Sequence, residues 1–126
     1  MLDVGRHPNI ELMAYSEVEK VEGEAGDFKV TVRRKARYVD EDKCTGCAAC
    51  TEKCPSLVAD AFNMGLGERK AIYSWFAQGI PSTHTIDAEN CRQLQGKKCG
   101  ICKKTCEADA VNFEQEDRGM ELDVGA

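Results

Sequence analysis

The run CTGCAACTEKCP, residues 44–55, decides the fold of this chain. Its cysteines have the spacing C-x2-C-x2-C-x3-C-P and are Cys44, Cys47, Cys50 and Cys54. One tight loop can wrap the first three around three corners of a small inorganic core, whereas the fourth lies far enough along the chain to point away. The other four of the eight cysteines follow in CRQLQGKKCGICKKTCE, residues 91–107. The two runs therefore predict two metal-binding loops.

This spacing is the signature of bacterial-type ferredoxins, in which the fourth cysteine of a run ligates the other cluster when two clusters are present. The resemblance implies two 4Fe-4S clusters, each held by three cysteines of one run and one of the other. The first set is Cys44, Cys47, Cys50 and Cys106, and the second is Cys54, Cys91, Cys99 and Cys102. Such clusters favour electron transfer as the function, with each cysteine acting as a ligand and not as a nucleophile.

The second run departs from this spacing at two points. Seven residues, Arg92 to Lys98, separate Cys91 from Cys99, and Glu107 replaces the proline after Cys106. A longer loop changes solvent access and the backbone N–H groups near a cluster, and both tune its reduction potential. We therefore expect the two potentials to differ, and a 3Fe-4S centre stays open as an alternative at the second site.

Disulfides and zinc are alternative uses of the same cysteines. Disulfides need an oxidising compartment, and the N-terminus MLDVGRHPNIELM lacks the basic and apolar regions of an export signal, which predicts a cytoplasmic chain. Zinc could use C-x2-C pairs, but zinc sites rarely carry the additional Cys50 and the trailing Cys54-Pro55. His7 and His84 are interpreted as surface or strand residues, because eight cysteines already fill eight ligand positions.

The composition is that of a small acidic module. The chain has 126 residues, of which 42% are hydrophobic and 31% charged, and its formal net charge is -5. Each oxidised cube with four thiolates adds about two negative charges, so nucleic acid and anionic membranes are not expected partners. No apolar run approaches the length of a membrane span. Because little apolar surface is available for a core, we expect the protein to unfold without its metal.

Short strands are predicted next to both cysteine runs. Those at 38–42 and 83–87 enter the runs, and one at 108–113 closes the second. Each half thus repeats strand, cysteine loop, short helix and strand, which is an α+β fold of the bacterial two-cluster ferredoxin type. Residues 38–114 form this predicted domain, with a covering insertion at 55–82.

The remaining residues predict a small antiparallel sheet. Phe28, Val30 and Val32 alternate with polar residues, which indicates a half-buried strand within a hairpin at 1–37, and residues 115–126 contain a returning strand. The ferredoxin domain is therefore expected as an insertion in a sheet formed by the two termini.

Two surfaces are candidates for docking a partner. The insertion 55–82 carries much of the aromatic content, including Trp75. It predicts either a flap that shields a cluster from water or a docking surface for another protein of a complex. Basic side chains of the second run form either a solvated loop face or a patch that steers an acidic partner: Lys97, Lys98, Lys103 and Lys104.

The chain resembles the internal ferredoxin insertion of the heterodisulfide reductase A subunit family, which includes flavoproteins of anaerobic bacteria and archaea. The resemblance lies in YSEVEKVEGEAGDFKVTVRRKARYVDEDKCTGCAAC, GLGERKAIY, TIDAENC and the closing MELDVGA. It implies a segment that interrupts the FAD domain of a longer oxidoreductase and relays electrons toward other subunits and redox partner proteins. The segment itself is expected to have neither a catalytic site nor a flavin site. A docking or structural module with redox-silent clusters is the alternative function.

Overall fold

The computed structural model of the protein describes residues 2–126, which divide into two compact units. The first unit contains the chain up to Ala36 together with Glu116–Ala126, and the second is Arg37–Gln115. The helices and strands are, in chain order, α1 (Leu2–Arg6), β1 (Ser16–Glu24), β2 (Asp27–Arg34), α2 (Ala49–Lys53), β3 (Leu57–Ala59), β4 (Glu68–Lys70), β5 (Ile72–Tyr73), β6 (Thr85–Ile86), α3 (Ile101–Thr105) and β7 (Arg118–Val124). Within residues 2–126, no helix is long and apolar enough to cross a membrane.

Both ends of the chain contribute to one antiparallel sheet in the first unit, as predicted. The strand order is β1-β2-β7, with Val32 of β2 opposite Val18 on one side and Met120 on the other. Val32 is the buried residue of β2, in agreement with its alternating pattern. Gly26 closes the turn between β1 and β2 with a φ of 94°, a left-handed conformation that glycine adopts easily. The returning strand and the hairpin are thus held by backbone pairing.

The second unit repeats one local frame before each cysteine run. The Cys44 N–H group donates to the Asp40 carbonyl oxygen (3.0 Å), and the Cys91 N–H group donates to the Asp87 carbonyl oxygen (2.9 Å). Each run contains a five-residue helix, α2 or α3, which ends just before its last cysteine. The frame therefore fixes where each run begins.

Matching backbone conformations bound the two helices. Ala48 before α2 and Gly100 before α3 have positive φ angles of 63° and 68°. Cys54 and Cys106 follow the helices in extended conformation. The extended backbone ends each helix and carries the chain away from its own loop.

The predicted strand at 38–42 is longer than the β structure that forms there. Only one β-bridge forms there, between Val39 and Val111. The chain leaves the strand at Asp40, whose carboxylate accepts a hydrogen bond from the Asp42 N–H group (3.0 Å) in a local turn. The turn is needed to start the loop that ends at the first cysteine.

The core of the second unit is small and includes cysteines. Its buried side chains are Val39, Cys50, Ala71, Ile72, Ile86, Cys91, Cys102, Ala110 and Val111. Cysteine positions are therefore fixed by the same packing that holds the strands and helices.

The insertion at 55–82 has an exposed tip. The hairpin of β3 and β4 encloses residues 60–67, where Met64 and Leu66 are 87% and 86% exposed. Phe62 is also exposed, and its ring stacks on Phe76 with 5.3 Å between the ring centroids. The tip therefore presents apolar side chains to solvent.

Candidate metal centre

One cavity of the described chain has a volume of about 540 Å³ and is lined by Cys44, Cys47, Cys50 and Cys106. Three of these residues come from the first run and Cys106 comes from the second. Most of the remaining wall is apolar, including Val39, Ile72, Ala110 and Val111. Four thiols therefore line one cavity with a largely apolar wall.

The second cavity is smaller, about 20 Å³, and is lined by Cys54, Cys91, Cys99 and Cys102. Here Cys54 comes from the first run. Ile72 lines this cavity as well as the first. The structure thus places four of the eight candidate ligands around each cavity. None of these eight cysteines forms a disulfide within residues 2–126.

Burial opposes ionisation of the deepest thiols. It is the main cause of the raised pKa of Cys50. Burial is the largest cause of the raised pKa of Cys102, and together with the charges of the nearby Cys91, Cys50 and Cys54 it brings that pKa to about 12. Coordination to a metal deprotonates such a thiol outright, because the positive charge compensates the buried thiolate.

Cys47 lies at the exposed side of the first cavity. Hydrogen bonds from the Ala49 N–H group and then from Thr45 lower its pKa. The first site therefore combines a buried thiol with an exposed one that ionises more easily than an unperturbed cysteine.

The donor set in each cavity fits a cluster. Within residues 2–126, no group of three or more His, Cys, Asp or Glu side chains is placed to hold one metal ion. A 4Fe-4S cluster instead takes four thiolates in total for its four irons. The chemistry and number of the donors fit both sites, and the size of the first cavity fits without rearrangement. At the second site the walls must part, because about 20 Å³ holds little more than one water molecule.

Gly46 brings the first loop against the segment that precedes β6. It has a φ of 71°, and a Cβ at this position would lie 2.6 Å from the Ser82 carbonyl oxygen. Both the backbone conformation and the close approach require glycine.

The long loop of the second run folds on itself. The Gln95 N–H group donates to the Cys91 carbonyl oxygen (3.0 Å), and the Lys97 N–H group donates to that of Arg92 (2.9 Å). The Cys99 N–H group donates to Oε1 of Gln93 (2.9 Å). Gln93 was not singled out from the sequence, and it fixes the backbone of a candidate ligand.

An ion pair ties the insertion to the second loop. Nη2 of Arg69 lies 3.0 Å from Oδ2 of Asp87, and both side chains are 15% exposed. Burial raises the pKa of Asp87, but hydrogen bonds from Asn90 and Arg69 outweigh it, so the pKa is lowered. The Arg69 guanidinium also stacks over the Tyr73 ring, 3.8 Å from its centroid. Asp40 holds the matching position in the first loop and has no ion pair within residues 2–126.

His84 lines the first cavity and was interpreted from the sequence as a surface or strand residue. It is 4% exposed and lies directly before β6, so it is neither a surface residue nor part of a strand, and that interpretation was wrong. No sequence signal marks its position, because the side facing the cavity depends on how β5 and β6 pair. His7 is exposed, and its Nδ1 accepts a hydrogen bond from the Asn9 N–H group (3.2 Å).

The basic side chains of the second run are all exposed: Lys97, Lys98, Lys103 and Lys104. Two of them lie in the long loop and two in α3. Their charges therefore lie beside the second run on an otherwise acidic chain.

A family model described as a 4Fe-4S binding domain matches residues 37–58. The match spans the frame at Asp40, the first cysteine run and α2. The chain is therefore an iron–sulfur protein that contains a 4Fe-4S binding domain.

Curated relatives match along nearly the whole chain. Identity is 47% over 125 residues with the iron-sulfur A subunit of the CoB--CoM heterodisulfide reductase of Methanocaldococcus jannaschii, and the match covers 99% of this chain and 18% of that protein. It is 51% over 126 residues with the second of two such A subunits of Methanopyrus kandleri, covering 100% and 18%. A protein of Archaeoglobus profundus that is named for its likeness to the heterodisulfide reductase A subunit is 44% identical over 146 residues, covering 100% and 21%.

The chain is thus a ferredoxin-type domain of the heterodisulfide reductase A subunit family, as the sequence predicted. It spans about a fifth of the length of these relatives.

Proposed function

We propose that the chain relays electrons through two 4Fe-4S clusters, as a module of a longer flavin-containing oxidoreductase of the heterodisulfide reductase type. The observation that carries this proposal is the pair of cavities, each lined by four cysteines drawn from both runs. When bound, such clusters accept and release electrons at potentials set by their charge, hydrogen bonds and exposure. The residues of the chain supply ligands and packing.

The ligands are assigned by cavity. The first cluster is held by Cys44, Cys47, Cys50 and Cys106, and the second by Cys54, Cys91, Cys99 and Cys102. Buried thiols at both sites support this assignment, because each needs a positive partner to ionise. Since Cys99 is delivered by the extended loop, a 3Fe-4S centre is the alternative composition at the second site.

Closeness of the two sites supports a relay. Ile72 lines both cavities. Cys50 of the first cavity and Cys102 of the second belong to the same buried cluster of core side chains. The two sites therefore adjoin one another across shared core residues, which suits electron transfer between them.

The longer protein is the proposed setting. Residues 1–37 and 115–126 belong to an FAD domain that the two-cluster domain, 38–114, interrupts. Other subunits of a heterodisulfide reductase-like complex and redox proteins are the proposed partners, which agrees with the naming of the relatives as subunits of heterodisulfide reductases. We place the protein in the cytoplasm, because its thiolate ligands must stay reduced.

A docking function is the second candidate. The apolar tip at 60–67 is exposed, with Met64 and Leu66 almost free of contacts. Exposed apolar side chains of this kind are typical of interfaces. In this hypothesis the clusters are structural and the chain positions a partner.

Redox titration decides between the two candidates. The protein is purified anaerobically, reduced stepwise with dithionite and followed by electron paramagnetic resonance. The relay predicts two reducible clusters with different midpoint potentials. Clusters that stay silent over the accessible range favour the structural role, and bound zinc in place of iron overturns both.

A further inference from the structure

His84 has a buried nitrogen that the protein leaves without a partner. The residue is 4% exposed, and its Nδ1 atom finds no hydrogen-bond partner within residues 2–126. Buried polar groups are nearly always paired, so an unpaired one requires an explanation such as a redox role or a bound ion or water. The neighbouring residues do not supply the partner.

The surroundings of His84 indicate what the partner is. His84 lines the cavity that also contains Cys44, Cys47, Cys50 and Cys106, and most of the remaining wall is apolar. A histidine ring carries at least one N–H donor whether it is neutral or protonated. Iron–sulfur clusters present sulfur atoms as acceptors, and hydrogen bonds to these atoms tune the potential.

We propose that the Nδ1–H group of His84 donates a hydrogen bond to a sulfur atom of the cluster at Cys44, Cys47, Cys50 and Cys106. This inference rests on the proposed function and adds a positioning residue to the first site. Reduction places one more negative charge on a cluster, and a nearby donor stabilises that charge. His84 therefore raises the midpoint potential of the first cluster relative to a site without the donor.

The second site differs in this respect, because its described wall contains no histidine. A change at His84 is therefore expected to act on one cluster only, which makes the second cluster an internal reference.

Substitution of His84 tests the effect on potential. The variant H84F keeps a ring and removes the donor, whereas H84N restores an N–H group near the position of Nδ1. We expect a downward shift of the first midpoint potential in H84F, a smaller shift in H84N, and no shift at the second cluster. The matched control H7F changes the exposed histidine and leaves both potentials unchanged. An unshifted first potential in H84F overturns the proposal.

Isotope labelling tests the same contact in the wild-type protein and does not depend on whether H84F keeps its first cluster. Protein containing ¹⁵N-histidine is reduced and measured by hyperfine sublevel correlation spectroscopy, with the two signals assigned through C50A and C102A. A ¹⁵N coupling in the first signal is expected in the wild type and in H7F. Its absence from the wild type overturns the role of His84. A wild type without any reducible cluster overturns the proposed function as well, so the two failures are distinguishable.

Discussion

The two cysteine sites share a backbone frame and differ in what surrounds it. In both, the first cysteine donates to an aspartate carbonyl four residues earlier, and a left-handed residue precedes a short helix. The first site has a cavity of about 540 Å³ with His84 in its wall, whereas the second has about 20 Å³ and a loop held by Gln93. Internal duplication explains the shared backbone frame. The residues that differ between the two halves give each site its own cavity volume and wall.

Removal of one ligand per site gives the largest expected effect. In C50A and C102A, one buried thiol is lost from the first or the second site. Each variant should retain about half of the iron and lose one of the two magnetic signals, because a cubane needs four thiolates. Iron analysis and electron paramagnetic resonance measure this. Loss of the same signal in both variants contradicts two separate sites.

Alanine substitutions at Gly46 and Gly100 distinguish the two loops, because the loops leave different amounts of space for an added methyl group. The left-handed conformation alone costs a non-glycine residue about 1–2 kcal/mol, and at Gly46 the Cβ also meets the Ser82 carbonyl oxygen at 2.6 Å. At Gly100 the nearest atom is Oε1 of Gln93, at 3.9 Å. We expect G46A to release iron from the first site far faster under a chelator than the wild type. G100A should change second-site release only slightly, since Ala48 already occupies the matching position.

If G46A and G100A release iron equally, the close approach at Gly46 has no energetic consequence. G26A is the control in the sheet, where nothing lies within 4 Å of the added Cβ. It should carry only the backbone cost and leave iron release unchanged.

The ion pair at the second loop predicts a smaller effect. R69Q removes the partner of Asp87 and the stacking on Tyr73. Loss of a partly buried hydrogen bond to a charged group costs about 1–3 kcal/mol. Limited proteolysis at the long loop should therefore become faster, and hydrogen exchange at the Cys91 amide should increase.

Two controls sharpen the R69Q experiment. R69K keeps the charge but not the planar guanidinium, so it should restore only part of the protection. D40N alters the matching aspartate, which has no ion pair within residues 2–126, and should leave the second loop unchanged. Equal effects of R69Q and D40N would show that the pair does not distinguish the loops.

Replacement of the lysines of the second run is expected to have the smallest effect on the protein itself. Replacing Lys97, Lys98, Lys103 and Lys104 by Gln should leave the iron content unchanged, because all four are exposed. Oxidation of the reduced protein by ferricyanide, an anion, should become slower and less dependent on salt. K20Q and K29Q, which belong to the first unit, serve as controls for a loss of positive charge at residues outside the second run. An unchanged salt dependence rules out steering by the patch.

The sequence indicated, through its resemblance to two-cluster ferredoxins, the crossed sets of cysteines that line the two cavities, and their role as cluster ligands stays a prediction. It predicted the sheet of both termini because alternation at Phe28, Val30 and Val32 follows from burial of one face. It could not predict the position of His84 in the first cavity or the Arg69–Asp87 pair. Both depend on contacts between residues far apart in the chain, and neither leaves a local pattern.

Iron and sulfide content tests the central claim most directly. Anaerobically purified protein should contain about eight iron and about eight sulfide per chain, which corresponds to two cubane clusters. About four of each would contradict the account, because the second set of cysteines would then hold no cluster.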